Sequence, residues 1–252
     1  MGIINLSPDS FSGDGLKSAG HALDRAQQMV EDGADIIDVG GESTRPFSNP
    51  VPEEEEIARV VPFIKEAAKI LKVPISVDTY KTEVARQAME AGADIINDVS
   101  GLKQGRDLAN LAREKKALII LTSNERGQEV ANIMEIVTGN LARLISITYK
   151  AGVELRNIII DPGIGFGKTV EQNLEIVRRL DELKVLDRPI LLGTSRKSFI
   201  GKVLGTEADD RLEGTAATVA IGIVNGADIV RVHDVRHMSI ICRMSDAIVR
   251  EI

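Results

Sequence analysis

Along the chain, a helix-spaced apolar pattern repeatedly closes on a glycine and gives way to a short apolar run that ends in a polar residue. Asp32-Gly33-Ala34-Asp35-Ile36-Ile37-Asp38-Val39 is echoed by Ala91-Gly92-Ala93-Asp94-Ile95-Ile96-Asn97-Asp98-Val99. The pattern returns as Asn225-Gly226-Ala227-Asp228-Ile229-Val230-Arg231-Val232, and a weaker copy runs from Ala151-Gly152 to Asp161. Each copy predicts a helix capped by glycine and then a buried strand. The copies lie roughly 60, 60 and 75 residues apart, about twice one βα unit, so strands without such a leader fit between them.

The pattern predicts strands at Met1–Asn5, Asp35–Gly40, Pro74–Asp78, Asp94–Asp98, Ala117–Leu121, Asn157–Asp161, Pro189–Gly193 and Asp228–His233. Helices are predicted at Ala19–Glu31, Glu53–Leu71, Lys81–Glu90, Asp107–Lys115, Val130–Ala151, Gln172–Val185, Leu212–Asn225 and Ser239–Arg250. Strands joined by helical crossovers make a parallel sheet. Eight such units predict a single-domain α/β fold over residues 1–252, a (β/α)8 TIM barrel. A doubly wound open sheet is the alternative, but no GxGxxG fingerprint opens the chain. Met1 falls inside the first strand, which reads as a short or trimmed start.

Composition narrows the function classes. Hydrophobic residues at 43% and charged residues at 27% suit a globular enzyme-sized domain. A net charge of −7, no tryptophan and 3% aromatics argue against a nucleic-acid partner. Cys242 is the only cysteine, which excludes an intrachain disulfide framework and a cysteine zinc site and favours a cytoplasmic setting. No apolar run reaches membrane-spanning length, and the start lacks a signal-peptide pattern.

In a barrel, side chains at the carboxyl ends of the strands converge on one mouth. That rule brings together Asn5, Asp78, Asn97, Asp161, Arg231 and His233, with Lys197 and Ser198 just beyond the seventh strand. Asp161-Pro-Gly-Ile-Gly-Phe-Gly-Lys168 forms a glycine-rich loop able to approach a ligand closely. Simpler readings exist: Asp78 as a helix cap, Asn97 as a loop-backbone partner, Lys168 as a surface lysine, and Glu53–Glu56 as a favourably charged helix start. Taken together, the acceptors Asp78, Asn97 and Asp161 with the donor Lys197 suit a flat heterocycle with a guanidine-like edge. Arg231, His233, Arg45 and Asn5 suit a phosphate or pyrophosphate, and a helix beginning near Lys197 would add backbone donors. The loops Leu6–Gly15 and Arg45–Val51 read as lids over the mouth. His21 and His237 read as surface residues.

These motifs resemble the dihydropteroate synthase family. The resemblance is carried by Gly2–Ser12, Asp38–Pro46, Ser76–Thr79, Asn97–Gly101, Asp161–Lys168, Ser195–Ser198 and Arg231–Val235, in the family's order. It implies a barrel that condenses p-aminobenzoate with 6-hydroxymethyl-7,8-dihydropterin diphosphate by a dissociative route, and a homodimer. It also implies that Asp78, Asn97, Asp161 and Lys197 hold the pterin, while Asn5, Arg231 and His233 hold the diphosphate with Mg²⁺. Phe11, Thr44, Arg45, Pro46, Phe166 and Ser198 would shape the p-aminobenzoate pocket, where sulfonamides also bind in this family. One motif departs. After the fifth strand the family usually carries Met-His-Met, whereas this chain reads Leu121-Thr122-Ser123-Asn124-Glu125-Arg126-Gly127. A pterin-dependent methyltransferase and a divergent pterin-binding barrel therefore stand as alternatives.

Overall fold

The structure is a computed structural model of the chain and describes residues 1–6, 15–43, 50–127 and 131–250, with side chains from residue 20 onward in the first helix. Eight short parallel strands form the wall: β1 (Gly2–Asn5), β2 (Ile37–Gly40), β3 (Ile75–Asp78), β4 (Ile95–Asp98), β5 (Leu118–Thr122), β6 (Ile158–Asp161), β7 (Leu191–Leu192) and β8 (Ile229–Val230). The helices are α1 (Gly15–Glu31), α2 (Glu53–Ile70), α3 (Thr82–Ala91), α4 (Asp107–Lys115), α5 (Ile133–Lys150), α6 (Val170–Arg178), α7 (Ser198–Leu204), α8 (Leu212–Val224) and α9 (Val235–Val249).

Strands β1 to β6 pair in chain order, and β7 pairs with β8. Isolated parallel bridges join the two sheets at both edges, Ile160 with Ile190 and Gly2 with Val232. The backbone bonds there are Ile160 N–H to Pro189 O (2.9 Å), Ile3 N–H to Val232 O (3.0 Å) and Val232 N–H to Met1 O (2.9 Å). The fold is a (β/α)8 barrel.

The period of two along each strand explains how this wall comes to hold a polar site. Outward positions such as Ile37, Val39, Ile75, Val77, Ile119, Leu121, Ile158 and Ile160 pack in the main core. Burial on both faces is why the strands read as nearly continuous apolar runs. Inward positions Met1, Ile95, Ile120, Ile159 and Leu191 form a separate plug inside the ring. Two residues further along, the inward positions are no longer apolar: Ile95 gives way to Asn97, Ile120 to Thr122, Ile159 to Asp161 and Ile229 to Arg231. The apolar plug is thus the floor of a polar mouth.

Several elements differ from the sequence expectation. The helix expected over 172–185 stops at Arg178 and continues as a 3-10 segment, Leu180–Leu186. Leu180 and Leu183 are both buried, and that spacing of three suits the tighter helix. The helix expected to begin near Lys197 is α7, and at seven residues it is too short to show a period. Helix α9 starts at Val235, four residues early, because Val235 and Met238 are buried.

Helix α6 begins just after the glycine-rich loop with a capping box. Thr169 Oγ1 accepts from Gln172 N–H (3.2 Å), and Gln172 Oε1 accepts from Thr169 N–H (2.9 Å). Thr169→Ala is expected to lower the unfolding free energy by about 1 kcal/mol, with Thr169→Ser close to wild type. Urea denaturation of the two variants checks this.

Candidate active site

Arg231 leaves the end of β8 and crosses the inside of the ring. Its Nε donates to Asp38 Oδ2 on β2 (2.5 Å), and its Nη2 donates to Asp78 Oδ2 on β3. Asn97 on β4 joins them, donating through Nδ2 to Asp38 Oδ1 (3.3 Å). Asp38 is wholly buried and Asp78 nearly so. Burial pushes the Asp78 carboxyl up to about 7, with Asp38 and Glu56 adding, against the pull of Arg231. Burial alone would lower the Arg231 pKa, but Asp38 and Asp78 raise it. The guanidinium therefore stays charged while one of its partners sits near its midpoint at neutral pH.

Beside this cluster are polar atoms with nothing to bond. Among the described residues, Ser76 Oγ, Asp78 Oδ1, Asn97 Oδ1 and Thr122 Oγ1 are buried without a hydrogen-bond partner. All four belong to inward positions on the consecutive strands β3, β4 and β5. The bond from Asn97 Nδ2 to Asp38 fixes which end of that amide is the free acceptor. Leaving one such group unpaired costs about 1–3 kcal/mol, so a row of them marks a place for a polar ligand.

Asp161 completes the row from β6. Its Oδ1 accepts from Gly163 N–H (2.7 Å), and burial raises its pKa against the opposing charge of Lys197. Lys197 donates to Ile164 O in the glycine-rich loop, and its ammonium lies 4.8 Å from the Phe166 ring centre. Burial pulls Lys197 down to about 8, although Asp161 opposes this. The Arg126 guanidinium lies 4.7 Å from the same ring. A cavity of about 1010 Å³ opens beside them, lined in part by Phe166, Ser198, Arg126, Asn124, Lys103 and Tyr80.

Lys168 is not a surface lysine. Its side chain is fully buried, as is its partner Glu125. The ammonium donates to Glu125 Oε2, Ser123 O (3.0 Å) and Gly163 O (2.9 Å). Ser123 Oγ (2.5 Å) and Asn140 Nδ2 (3.0 Å) donate to Glu125 Oε1. The loop after β5 is thereby bolted to the glycine-rich loop. The fit explains the glycines: at Gly163, φ +71°, a Cβ would lie 1.8 Å from Ser123 O, and at Gly167, φ +74°, 2.4 Å from Arg126 N.

The other expected residues fall as follows. His233 lies beside Arg231, but burial with Arg231 and Arg196 holds its pKa down to about 4. Ser195 Oγ accepts from His233 N–H (3.1 Å) and lies 3.0 Å from Nδ1. At neutral pH the His233 ring is therefore uncharged, not a cation. Arg196 is taken by Asp234. Asn5 is half-buried at the end of β1. Ser198 is exposed at the start of α7, which at seven residues is a short helix. Phe11, Thr44, Arg45 and Pro46 lie outside the described residues, as does most of both loops read as lids.

Two of the simpler readings are also corrected. Asp78 caps no helix: Lys81 is the N-cap of α3, with no side-chain cap bond. Asn97 bonds Asp38, not loop backbone. Glu53, Glu54 and Glu55 are exposed at the start of α2, whereas Glu56 is buried and accepts from Lys81 (2.5 Å), which also donates to Glu42 (2.7 Å). His21 and His237 are exposed, as expected.

A barrel whose mouth presents a row of carboxylate and amide acceptors beside an aromatic ring and half-buried cations defines an enzyme for a small polar heterocycle. Residues 1–233 match the family described as pterin binding enzyme. The dihydropteroate synthase of Clostridium beijerinckii is 51% identical over 252 residues, covering 99% of this chain and 94% of that protein. The crystal structure of a dihydropteroate synthase from Clostridium difficile in the presence of pteroic acid superposes with a TM-score of 0.97 at 48% identity, covering 100% of this chain and 96% of that one. The Xanthomonas albilineans dihydropteroate synthase with 4-aminobenzoic acid gives 0.94 at 36% identity, covering 100% and 93%. The chain belongs to the pterin-binding enzymes and, within them, to the dihydropteroate synthases.

Asp78 has a folded-state pKa near 7 against an ordinary value of 3.8. Between those values the folded chain holds a proton that the unfolded chain has lost, so stability drains away as pH rises from about 4 to 7. Asp78→Asn has no such loss. Its stability relative to wild type is expected to improve from pH 5 to pH 8 by at least about 1.4 kcal/mol, the equivalent of one pKa unit. Urea melts at the two pH values test this, and a constant difference would contradict it. Separately, Glu125→Ala strands the Lys168 charge and is expected to cost about 3–5 kcal/mol, most of which the double change Glu125→Leu with Lys168→Met restores. Equilibrium unfolding of both variants is the check.

Proposed function

We propose that this chain condenses 6-hydroxymethyl-7,8-dihydropterin diphosphate with p-aminobenzoate to give 7,8-dihydropteroate and pyrophosphate, a transferase step of folate synthesis. The observation that carries the reading is the pair of unpaired acceptors, Asp78 Oδ1 and Asn97 Oδ1, on the same inner wall as the carboxylate of Asp161. An aminopyrimidinone edge supplies the N–H donors that such acceptors lack.

In this reading Asp78, Asn97, Asp161 and Lys197 hold the pterin. The carboxylates of Asp78 and Asp161 stabilise the positive charge that develops as the bond from the methylene carbon to the diphosphate oxygen breaks. The electron pair leaves with the diphosphate. The arylamine nitrogen then bonds the carbon and sheds a proton. Arg231 and the neutral His233 receive the leaving group. Phe166, Ser198 and the residues Phe11, Thr44, Arg45 and Pro46 form the p-aminobenzoate pocket, where sulfonamides would compete.

Magnesium is part of the proposal. Among the described residues no cluster of three or more His, Cys, Asp or Glu side chains could hold an ion by itself. Asn5 offers one neutral amide oxygen. That donor set fits Mg²⁺ as it binds alongside phosphates, through few protein ligands. When bound there it would neutralise charge on the leaving group.

A homodimer fits the surface. Ile221 and Val224 of α8 and Ile240, Met244 and Ile248 of α9 are large, apolar and exposed. The two helices pack together, so these residues offer a face for a second copy. Among the described residues no helix is long and apolar enough to cross a membrane.

The test is pyrophosphate release by the purified chain with Mg²⁺ and the pterin diphosphate, with and without p-aminobenzoate. Release that depends on p-aminobenzoate and yields dihydropteroate is expected. Asp161→Asn should weaken pterin binding by about 10- to 150-fold, the loss of a charge-assisted bond. Pterin binding without release would point to a methyltransferase or a simple binder.

A further inference from the structure

We propose that Thr122 is a specificity-determining residue of the mouth, its hydroxyl donating a hydrogen bond to a ring nitrogen or carbonyl of the bound heterocycle. The proposal rests on the pterin reading above and deepens it.

Thr122 is the last residue of β5. It points inward by the period of two, since Ile120 belongs to the inner plug. Its Cα partner across the ladder is Asp161 on β6, while on β4 Asn97 pairs with Ile120, one inward position below Thr122. The residue is wholly buried, and its Oγ1 is one of the atoms without a partner. The next hydroxyl along, Ser123 Oγ, is already committed to Glu125. The two adjacent hydroxyls therefore have different tasks: Ser123 fastens the loop, and Thr122 faces the mouth.

A valine would fill the same space without an unpaired polar atom, so the hydroxyl is a cost to the free protein. Its surroundings say what would remove that cost. The Asp161 carboxylate beside it is an acceptor, and so is Asn97 Oδ1, one inward position lower on β4. Thr122 adds a donor next to Asp161, so β4, β5 and β6 present a staggered row of acceptors and a donor. A fused 2-aminopyrimidinone complements this row, because it carries N–H groups and ring nitrogen or carbonyl acceptors in one plane.

The experiment is titration calorimetry of wild type, Thr122→Val and Thr122→Ser with 6-hydroxymethylpterin, and separately with pyrophosphate and Mg²⁺. Thr122→Val is expected to weaken pterin binding by about 2- to 13-fold, and Thr122→Ser by less than about twofold, with pyrophosphate binding unchanged in both. Thermal unfolding of free Thr122→Val should match or exceed wild type, because no internal bond is lost. Wild-type pterin affinity in Thr122→Val would overturn the proposal. So would equal losses in the two variants, which would assign the effect to packing. If the wild-type chain binds no pterin, the proposed function falls together with this inference; intact wild-type binding with an unaffected Thr122→Val sinks this inference alone.

Discussion

One guanidinium shared between two buried carboxylates is the interaction on which the mouth depends. Asp38 and Asp78 could not sit side by side inside the ring without the opposite charge of Arg231. Asp38, once held, orients the Asn97 amide and so leaves its oxygen facing the mouth. The neighbouring strands β2 and β3 and the sequence-distant β8 are thereby committed to one electrostatic arrangement. The acceptors that make the site selective are by-products of how the charges are balanced.

The second half of the site is set by a different device. The glycine-rich loop receives Lys197 through Ile164 O and presents Phe166 to the cavity. That loop is held in turn by Lys168 and Glu125, both sealed from solvent. The fifth loop, whose sequence departs from the expected motif, is therefore built around its own carboxylate. The change from a Met-His-Met pattern is less a loss than a rebuilding, with Glu125 and Ser123 tying the sixth loop in place and Thr122 turned inward.

Much of this was legible in the chain. The polar residues closing apolar runs gave all eight strands to within a few residues, and the barrel rule brought Asp78, Asn97, Asp161 and Arg231 to one mouth. What sequence could not show was pairing across the ring. Arg231 reads as an anion receptor until its partners Asp38 and Asp78 are seen, and His233 reads as a cation until burial makes it neutral. Asp38 carries a signal of its own, since it lies two residues after Ile36, on the inward face. Lys168 and Glu125 gave none, because they are far apart in sequence and meet only where two loops fold together. Helix α7 shows its start near Lys197 but no period, because it is only seven residues long.

The edge where β8 meets β1 is one of two lightly stitched seams in the wall, each joined by an isolated bridge instead of a ladder. Arg231 springs from β8 and anchors beyond β1, on β2 and β3. It therefore acts as a strap across that edge as well as a charge within the mouth. An anion that draws the guanidinium toward itself competes with the strap, while one that bonds it in place leaves the edge tight. Occupancy of the mouth and breathing of the wall are in this way one coupled equilibrium. The backbone amides of Ile3 and Val232, which bond across that edge, are where hydrogen exchange would register it.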